Sequence, residues 1–425
     1  MSCQRVPAWL QAPSAGVVTP GPLRRWATPV GAALVLAGCA ANGAQRPAVR
    51  PGIDVLLTDS LHLIQRRRVA LLTNQTGVDR EGVSDVDRLL GAGVNLIALF
   101  SPEHGFRGAS NQQNIRHGVD SATGLPVYSL YGTVRAPTPE MLRNVDVVLA
   151  DLQDIGARTY TYISTILLTL EAVSQQQRTL VVLDRPDPIG GVAVQGPLLD
   201  TAFASFVGML PVPLRHGMTM GELARLGAAR LGLSGSLRVV PTGGWARAQW
   251  FDQAGLPWVR PSPSMPDLES ATHYPGTVVF EGTNLSVGRG TPIAFQVVGA
   301  PWMDPTKVRA TLGDIPGVVV ADTTFTPVAP ADGKYPDERL PALRFRATDR
   351  AVYDPTLLAA KLLAAIRDVH PDRLWFNAAA FDRLAGSDRW RLAVLRGESG
   401  EQTWQSWQPG VAEFKRQREP YLLYP

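Results

Sequence analysis

A chain of 425 residues is long for a single hydrophobic core and points to two domains. Its 45% apolar and 18% charged composition is that of an ordinary folded protein and excludes a disordered or coiled-coil chain. The 41 basic residues barely outnumber the 37 acidic ones, and Arg66-Arg67-Arg68 is the longest basic run, so no nucleic-acid partner is indicated.

Residues 1–39 read as a targeting segment. Arg24 and Arg25 form its charged part, residues 26–37 its apolar part, and Leu36-Ala37-Gly38-Cys39 closes it. The pattern resembles the lipobox of bacterial lipoproteins, which implies lipidation of Cys39 and attachment to a membrane through that lipid alone. The apolar stretch is too short to span a bilayer. Ala40, with no Asp after the cysteine, implies the periplasmic side of a Gram-negative outer membrane. Residues 40–51 read as a polar tether. Cys3 lies in the segment to be removed, so the mature chain has neither disulfide nor thiol chemistry.

From residue 68 onward, strands and helices alternate. Short apolar runs at 69–72, 96–100, 146–150, 180–183 and 237–240 predict buried strands, and periodicity predicts helices over 83–92, 162–176 and 220–231. Such alternation implies right-handed crossovers and an α/β fold with a mostly parallel sheet. Regular periodicity fades between 245 and 291, a stretch rich in Pro, Gly and Trp and expected to be irregular but functional. A second, smaller α+β unit is expected over 304–425, leaving 52–303 to the sheet domain. Within it, helices are predicted at 305–312 and 357–369, strands at 318–321 and 343–347, and a docked terminal strand at 421–425.

Each predicted strand ends in polar chemistry: Asn74, then Ser101 with Glu103, then Asp151 with Asp154, then Asp184 with Arg185. An open α/β sheet binds its ligand at that rim, although turns and caps could account for any one of these residues. Ser101-Pro102-Glu103 is equally a helix start and a catalytic site; Gly105 and Gly108 favour the site because they stop a helix from extending. Asp151 and Asp154 with Arg158, and Asp184 with Arg185, are either ion-pair sets or sugar-binding groups. Trp245, Trp250 and Trp258 could stack on sugar rings, with burial the safer expectation.

Other chemistries find little support. No G-x-G-x-x-G or Walker lysine follows a strand, so no nucleotide cofactor is expected. None of the six histidines stands at metal-ligand spacing, so no metal is expected, and His216 reads as a cap or packing element. A serine-hydrolase elbow is absent too.

Several blocks together resemble one bacterial family: Ser101-Pro102-Glu103-His104-Gly105-Phe106-Arg107-Gly108, Gln153-Asp154-Ile155-Gly156-Ala157-Arg158-Thr159-Tyr160, Asp184-Arg185-Pro186, Glu281-Gly282-Thr283-Asn284 and Gly288-Arg289-Gly290-Thr291. They are similar to the NamZ-type exo-β-N-acetylmuramidases over nearly all of the mature chain. The resemblance implies a Rossmann-like domain, a smaller C-terminal domain, and a cleft between them. It further implies release of N-acetylmuramic acid from the non-reducing ends of peptidoglycan fragments, with Glu103 as the catalytic glutamate and general acid. Asp154 and Asp151 are the candidates for the second catalytic role. Asn74, His104, Arg158, Tyr160, Asp184, Arg185, Glu281, Asn284 and Arg289 are the candidate substrate-binding residues, with Arg158 or Arg289 suited to the lactyl carboxylate. The family commonly has Glu where this chain has Gln195 and Asn where it has Ser264. The alternative reading is a non-catalytic, lipid-anchored protein that binds cell-wall sugars.

Overall fold

The computed structural model describes residues 48–107 and 117–425; the expected signal segment with Cys39, most of the tether, and Gly108 lie outside the described residues. The tether is docked by residue 49. Val49 is buried against Trp245 and Tyr424, and Arg50 exchanges two backbone hydrogen bonds of 2.8 Å with Gly243.

The larger sheet has seven strands: β1 (Val69–Thr73), β2 (Leu96–Ser101), β3 (Gly118–Val119), β4 (Pro126–Ser129), β5 (Val147–Asp151), β6 (Thr179–Leu183) and, after a two-stranded ribbon of β7 (Gln195–Leu198) and β8 (Pro213–Arg215), β9 (Leu237–Val240). Their spatial order is β3-β4-β2-β1-β5-β6-β9, and every pairing is parallel except β3 with β4. Without the short edge strand β3, this is the Rossmann order, with its topological switch between β1 and β5.

Both faces of the sheet are covered, which is why its central strands read as continuous apolar runs. Val69, Leu71, Leu99, Leu149 and Val181 pack on one face with Ile53, Leu56, Val86 and Leu89 from the helices Gly52–Asp59 and Asp85–Gly91. Ala70, Leu72, Phe100, Val148 and Val182 pack on the other with Ile166 and Leu170 of Tyr162–Gln175 and Leu223 of Met220–Leu231. The latter helix starts where expected because Thr219 and Glu222 form a reciprocal capping box, and it ends at Gly232 in the left-handed conformation.

The second sheet is antiparallel, β10 (Val297–Gly299), β12 (Leu340–Ala347), β11 (Val318–Phe325) in that order. It therefore begins before residue 303. The long helix Pro355–Val369 packs on Leu268–Thr277, a helix inside the stretch expected to be irregular. Thr272, His273, Pro275, Gly276 and Thr277 are poor helix formers, so tertiary packing rather than propensity holds it. The contact is close: a Cβ at Gly276 would lie 1.9 Å from the Pro355 carbonyl oxygen. Gly276→Ala is expected to destabilise the fold by about 3 kcal/mol, since backbone on both sides blocks relief; chemical denaturation would show it as a lowered midpoint.

One apolar cluster runs from β5 and its helices through Tyr274 and Phe280 to Phe345 and Leu358, so the two parts share a continuous core. The last residues dock, but not as a strand. They pass through a 3-10 turn at Glu419–Tyr421, and Tyr424 then donates its hydroxyl to Asp184 at 2.5 Å. Among the described residues no helix is long and apolar enough to cross a membrane.

Candidate active site

A cavity of about 330 Å³ opens where the loops after β2 and β5 meet the C-terminal part of the chain. It lies at the small end of the ~300–1,000 Å³ range of ligand pockets, the size of one sugar rather than a polymer groove. Glu103 and His104 line it from the β2 loop, Thr159 to Tyr162 from the β5 loop, and Glu281, Arg289 and Asp332 from the far side.

No helix follows Ser101-Pro102. The chain turns instead, with His104 at φ 71° and Gly105 at φ 79°. A histidine held in the left-handed region carries backbone strain that concentrates at functional sites. The turn presents the half-buried Glu103 carboxyl to the cavity, where Thr161 Oγ1 donates to its Oε2 at 2.5 Å. Tyr131, just past β4, stands beside the same carboxyl; burial and its closeness to Glu103 push the Tyr131 hydroxyl's pKa up. The Thr161 hydroxyl thus fixes the carboxyl's orientation.

The β5 loop is positioned by buried polar groups behind the cavity. Asp154 Oδ2 accepts the Gly156 N–H at 2.7 Å and faces His216 Nε2 at 3.5 Å, while His216 Nδ1 accepts from the Met218 N–H. Arg158 N–H then bonds Leu214 of β8 at 2.9 Å. Asn74 donates to the Tyr162 hydroxyl at 2.9 Å, and that hydroxyl donates to the Pro261 carbonyl at 2.5 Å. Tyr162 in turn meets Tyr160 edge-on, and Tyr160 meets Tyr274 likewise.

Of the residues expected from sequence, Glu103, His104, Tyr160, Glu281 and Arg289 come together in this cavity. The others do not line it. Asp151 is fully buried and clasps Arg185 through two hydrogen bonds, one of them 3.0 Å. Asp85 stands beside this pair, its carboxyl held well above the usual range by burial and by Asp151. Asp154 forms the turn described above. Asp184 accepts from Thr219, Tyr424 and the Gly221 N–H; burial nevertheless pushes its carboxyl up to about 6. Asn284 clamps residues 373 and 375 through Arg373 O and Trp375 N.

Arg158 is the sharpest correction. Its guanidinium is buried without a carboxylate and donates to the carbonyls of Pro197, Val212 and Leu384 at 2.8, 2.9 and 3.0 Å. Burial alone lowers its pKa to about 9. It staples β7 and the turn before β8 to the helix Ala378–Ala385, and so is not available to a ligand's carboxylate. Gln195 is structural as well, bridging Arg215 Nη1 and the Tyr353 carbonyl, and neither it nor Ser264 lines the cavity.

On the far wall, Glu281 and Arg289 form an ion pair. Burial opposes the Arg289 charge, but the Glu281 carboxylate more than offsets it and raises the pKa. Sequence reasoning missed Thr161, Tyr131, Tyr274 and Asp332. Thr161 directly follows the quoted block that ends at Tyr160; Tyr131 follows β4, a strand that no apolar run announced, and Tyr274 and Asp332 lie outside any strand end.

Among the described residues one acidic trio, Asp54, Asp79 and Glu81, has metal-like spacing, but Arg80 and Arg88 already pair with it.

A Rossmann-ordered sheet whose strand-end loops close on a second domain, over a one-sugar cavity holding an oriented carboxyl, defines a two-domain α/β protein built for acid–base chemistry on a small polar ligand. The chain belongs to the NamZ exo-β-N-acetylmuramidase family. It matches the family's N-terminal domain over residues 69–269 and its C-terminal domain over 272–424. It is 40% identical to the peptidoglycan β-N-acetylmuramidase NamZ of Bacillus subtilis (strain 168) across 90% of this chain and 92% of that one. Two crystal structures of DUF1343 family proteins from Bacteroides fragilis are also similar. One has a TM-score of 0.82 at 34% identity, covering 89% of this chain and 99% of its own, and the other 0.69 at 30%, covering 88% and 99%.

Proposed function

We infer that this chain is a glycoside hydrolase that removes N-acetylmuramic acid from the non-reducing ends of peptidoglycan fragments, with Glu103 as general acid. The observation that carries this reading is the Glu103 carboxyl, held by Thr161 and flanked by Tyr131 at a cavity with room for one sugar. A protonated carboxyl there gives its proton to the glycosidic oxygen as the bond to the anomeric carbon breaks. A cavity with room for one sugar favours action at a chain end over internal cleavage, and a guanidinium on its far wall suits an acidic sugar. Family membership and the named activity of the B. subtilis relative support the same reading. Incubation with a β-1,4-linked disaccharide of N-acetylmuramic acid and N-acetylglucosamine is the test. Release of free N-acetylmuramic acid is expected; binding without turnover would replace the enzyme by a sugar-binding protein.

Exported, lipid-anchored placement through Cys39, on the periplasmic side of an outer membrane, belongs to the same proposal and is supported by the Leu36-Ala37-Gly38-Cys39 pattern and by Ala40 after it. Metabolic labelling with a fatty acid should mark the wild type and not Cys39→Ser.

Thr161→Val keeps the side chain's shape and deletes only the hydroxyl that donates to Glu103. A hydrogen bond to a charged group contributes about 1.5–3 kcal/mol, so kcat on the disaccharide should fall roughly 10- to 100-fold with an unchanged melting temperature.

A further inference from the structure

The cavity accounts for one sugar, and a peptidoglycan fragment continues beyond it. The glycosidic oxygen takes its proton from Glu103 and so lies against that carboxyl, with the muramoyl ring between Glu103 and the Glu281–Arg289 wall. The departing saccharide therefore extends outward over the other flank of Glu103. Tyr131 is on that flank, since it stands beside the carboxyl but does not line the cavity. The Phe206 ring packs 6.3 Å from the Tyr131 ring, and the next residue, Val207, lines the cavity. The tip of the β7–β8 connection thus forms the cavity's edge. It is firmly held: Ser205 and Gly208 exchange two backbone hydrogen bonds of 3.0 Å, and the Phe206 carbonyl accepts the Ser164 hydroxyl at 2.7 Å.

A cation without a counter-ion stands on this flank. The Arg135 guanidinium carbon lies 4.7 Å from the Phe206 ring centre, its Nε donates to the Gly132 carbonyl at 3.3 Å, and its charge acts on the Tyr131 hydroxyl. Among the described residues no carboxylate pairs with it, and residues 1–47 and 108–116 contain neither Asp nor Glu. Neighbouring arginines are committed, Arg107 to Asp120 and Arg143 to Glu140. The two Nη atoms of Arg135 make no hydrogen bond to the described residues and stay open to solvent. A guanidinium fork matches a carboxylate, and one already seated on a ring loses little freedom on binding it. The glycan offers carboxylates at a fixed spacing. Its first departing sugar, N-acetylglucosamine, is neutral, and the muramic acid after it carries a lactyl carboxylate. We propose that Arg135, seated on Phe206, forms an outer subsite for the carboxylate of the second sugar beyond the cleaved bond, so that longer fragments are preferred to the disaccharide. This assignment rests on the muramidase reading above and extends it to substrate length.

The test compares release of N-acetylmuramic acid from the disaccharide and from the tetrasaccharide of two such repeats. Wild type should show the higher kcat/KM on the tetrasaccharide. Arg135→Gln keeps the stem near Phe206 and removes the charge, so the ratio of tetrasaccharide to disaccharide kcat/KM should fall about tenfold, through KM rather than kcat. Arg135→Lys keeps a charge without the fork and should lower the ratio less, about threefold. A measurement on wild type alone serves if the variants do not fold: a tetrasaccharide whose internal lactyl carboxyl is a primary amide should lose its advantage over the disaccharide. Equal losses on both fragments, an unchanged ratio in Arg135→Gln, or equal rates on the acid and amide tetrasaccharides overturn the subsite while leaving the muramidase reading in place. A wild-type protein that releases N-acetylmuramic acid from neither fragment overturns the muramidase reading, and the subsite with it.

Discussion

Glu103→Gln is expected to cut kcat on the muramic acid disaccharide by roughly 10²–10⁴-fold, the range that general acid catalysis contributes. The amide still accepts from the Thr161 hydroxyl, so the fold and sugar binding should survive. The size of the loss should depend on the leaving group. A sugar alkoxide leaves only if protonated, whereas a dinitrophenolate leaves unaided, so an activated aryl glycoside should lose far less than the disaccharide. Steady-state kinetics on both substrates read this directly. Near wild-type release of N-acetylmuramic acid from the disaccharide by a folded Glu103→Gln protein would falsify the assignment of the general acid.

The second large effect is on stability, and it separates two readings of one residue. Asp151→Ala leaves the Arg185 guanidinium buried, with the Val78 carbonyl at 2.7 Å and the Asp85 carboxyl 4.0 Å away. Removing one partner of a buried pair costs about 3–5 kcal/mol when the remaining charge loses its hydrogen-bonded counter-ion, and here only the more distant Asp85 carboxyl is left. A denaturant midpoint well below wild type is therefore expected, with kcat per folded molecule close to normal, since Asp151 does not line the cavity. A stable but inactive Asp151→Ala protein would return Asp151 to the chemistry.

These two residues also show what the sequence could and could not reveal. Strands β1, β2, β5 and β6 were legible because both sheet faces are covered and the runs are uninterruptedly apolar. The convergence of polar groups at their ends was legible as well. What a polar residue faces after convergence was not. Asp151 meets Arg185, Asp184 meets Thr219 and Tyr424, and Arg158 meets three carbonyls, so most of the rim is spent on itself. Glu103 differs by a single conformational fact: the left-handed turn at His104 and Gly105 points it into open space. Asp332 reaches the same cavity from more than two hundred residues away, and only the shared core brings it there. The helix Leu268–Thr277 was hidden for a related reason, since its composition argues against a helix that its partner enforces.

The hydrogen bond from Tyr424 to Asp184 has a consequence for the order of events in folding. Domains ordinarily fold in turn as the chain emerges from the ribosome, the N-terminal one first. Here the carboxyl that follows β6, which Thr219 and Gly221 already partner, waits for Tyr424. Arg158 likewise waits for the Leu384 carbonyl. The buried polar groups of the first domain thus gain their last partners only when residues 384 and 424 have docked, and the protein closes as one unit rather than as two in succession.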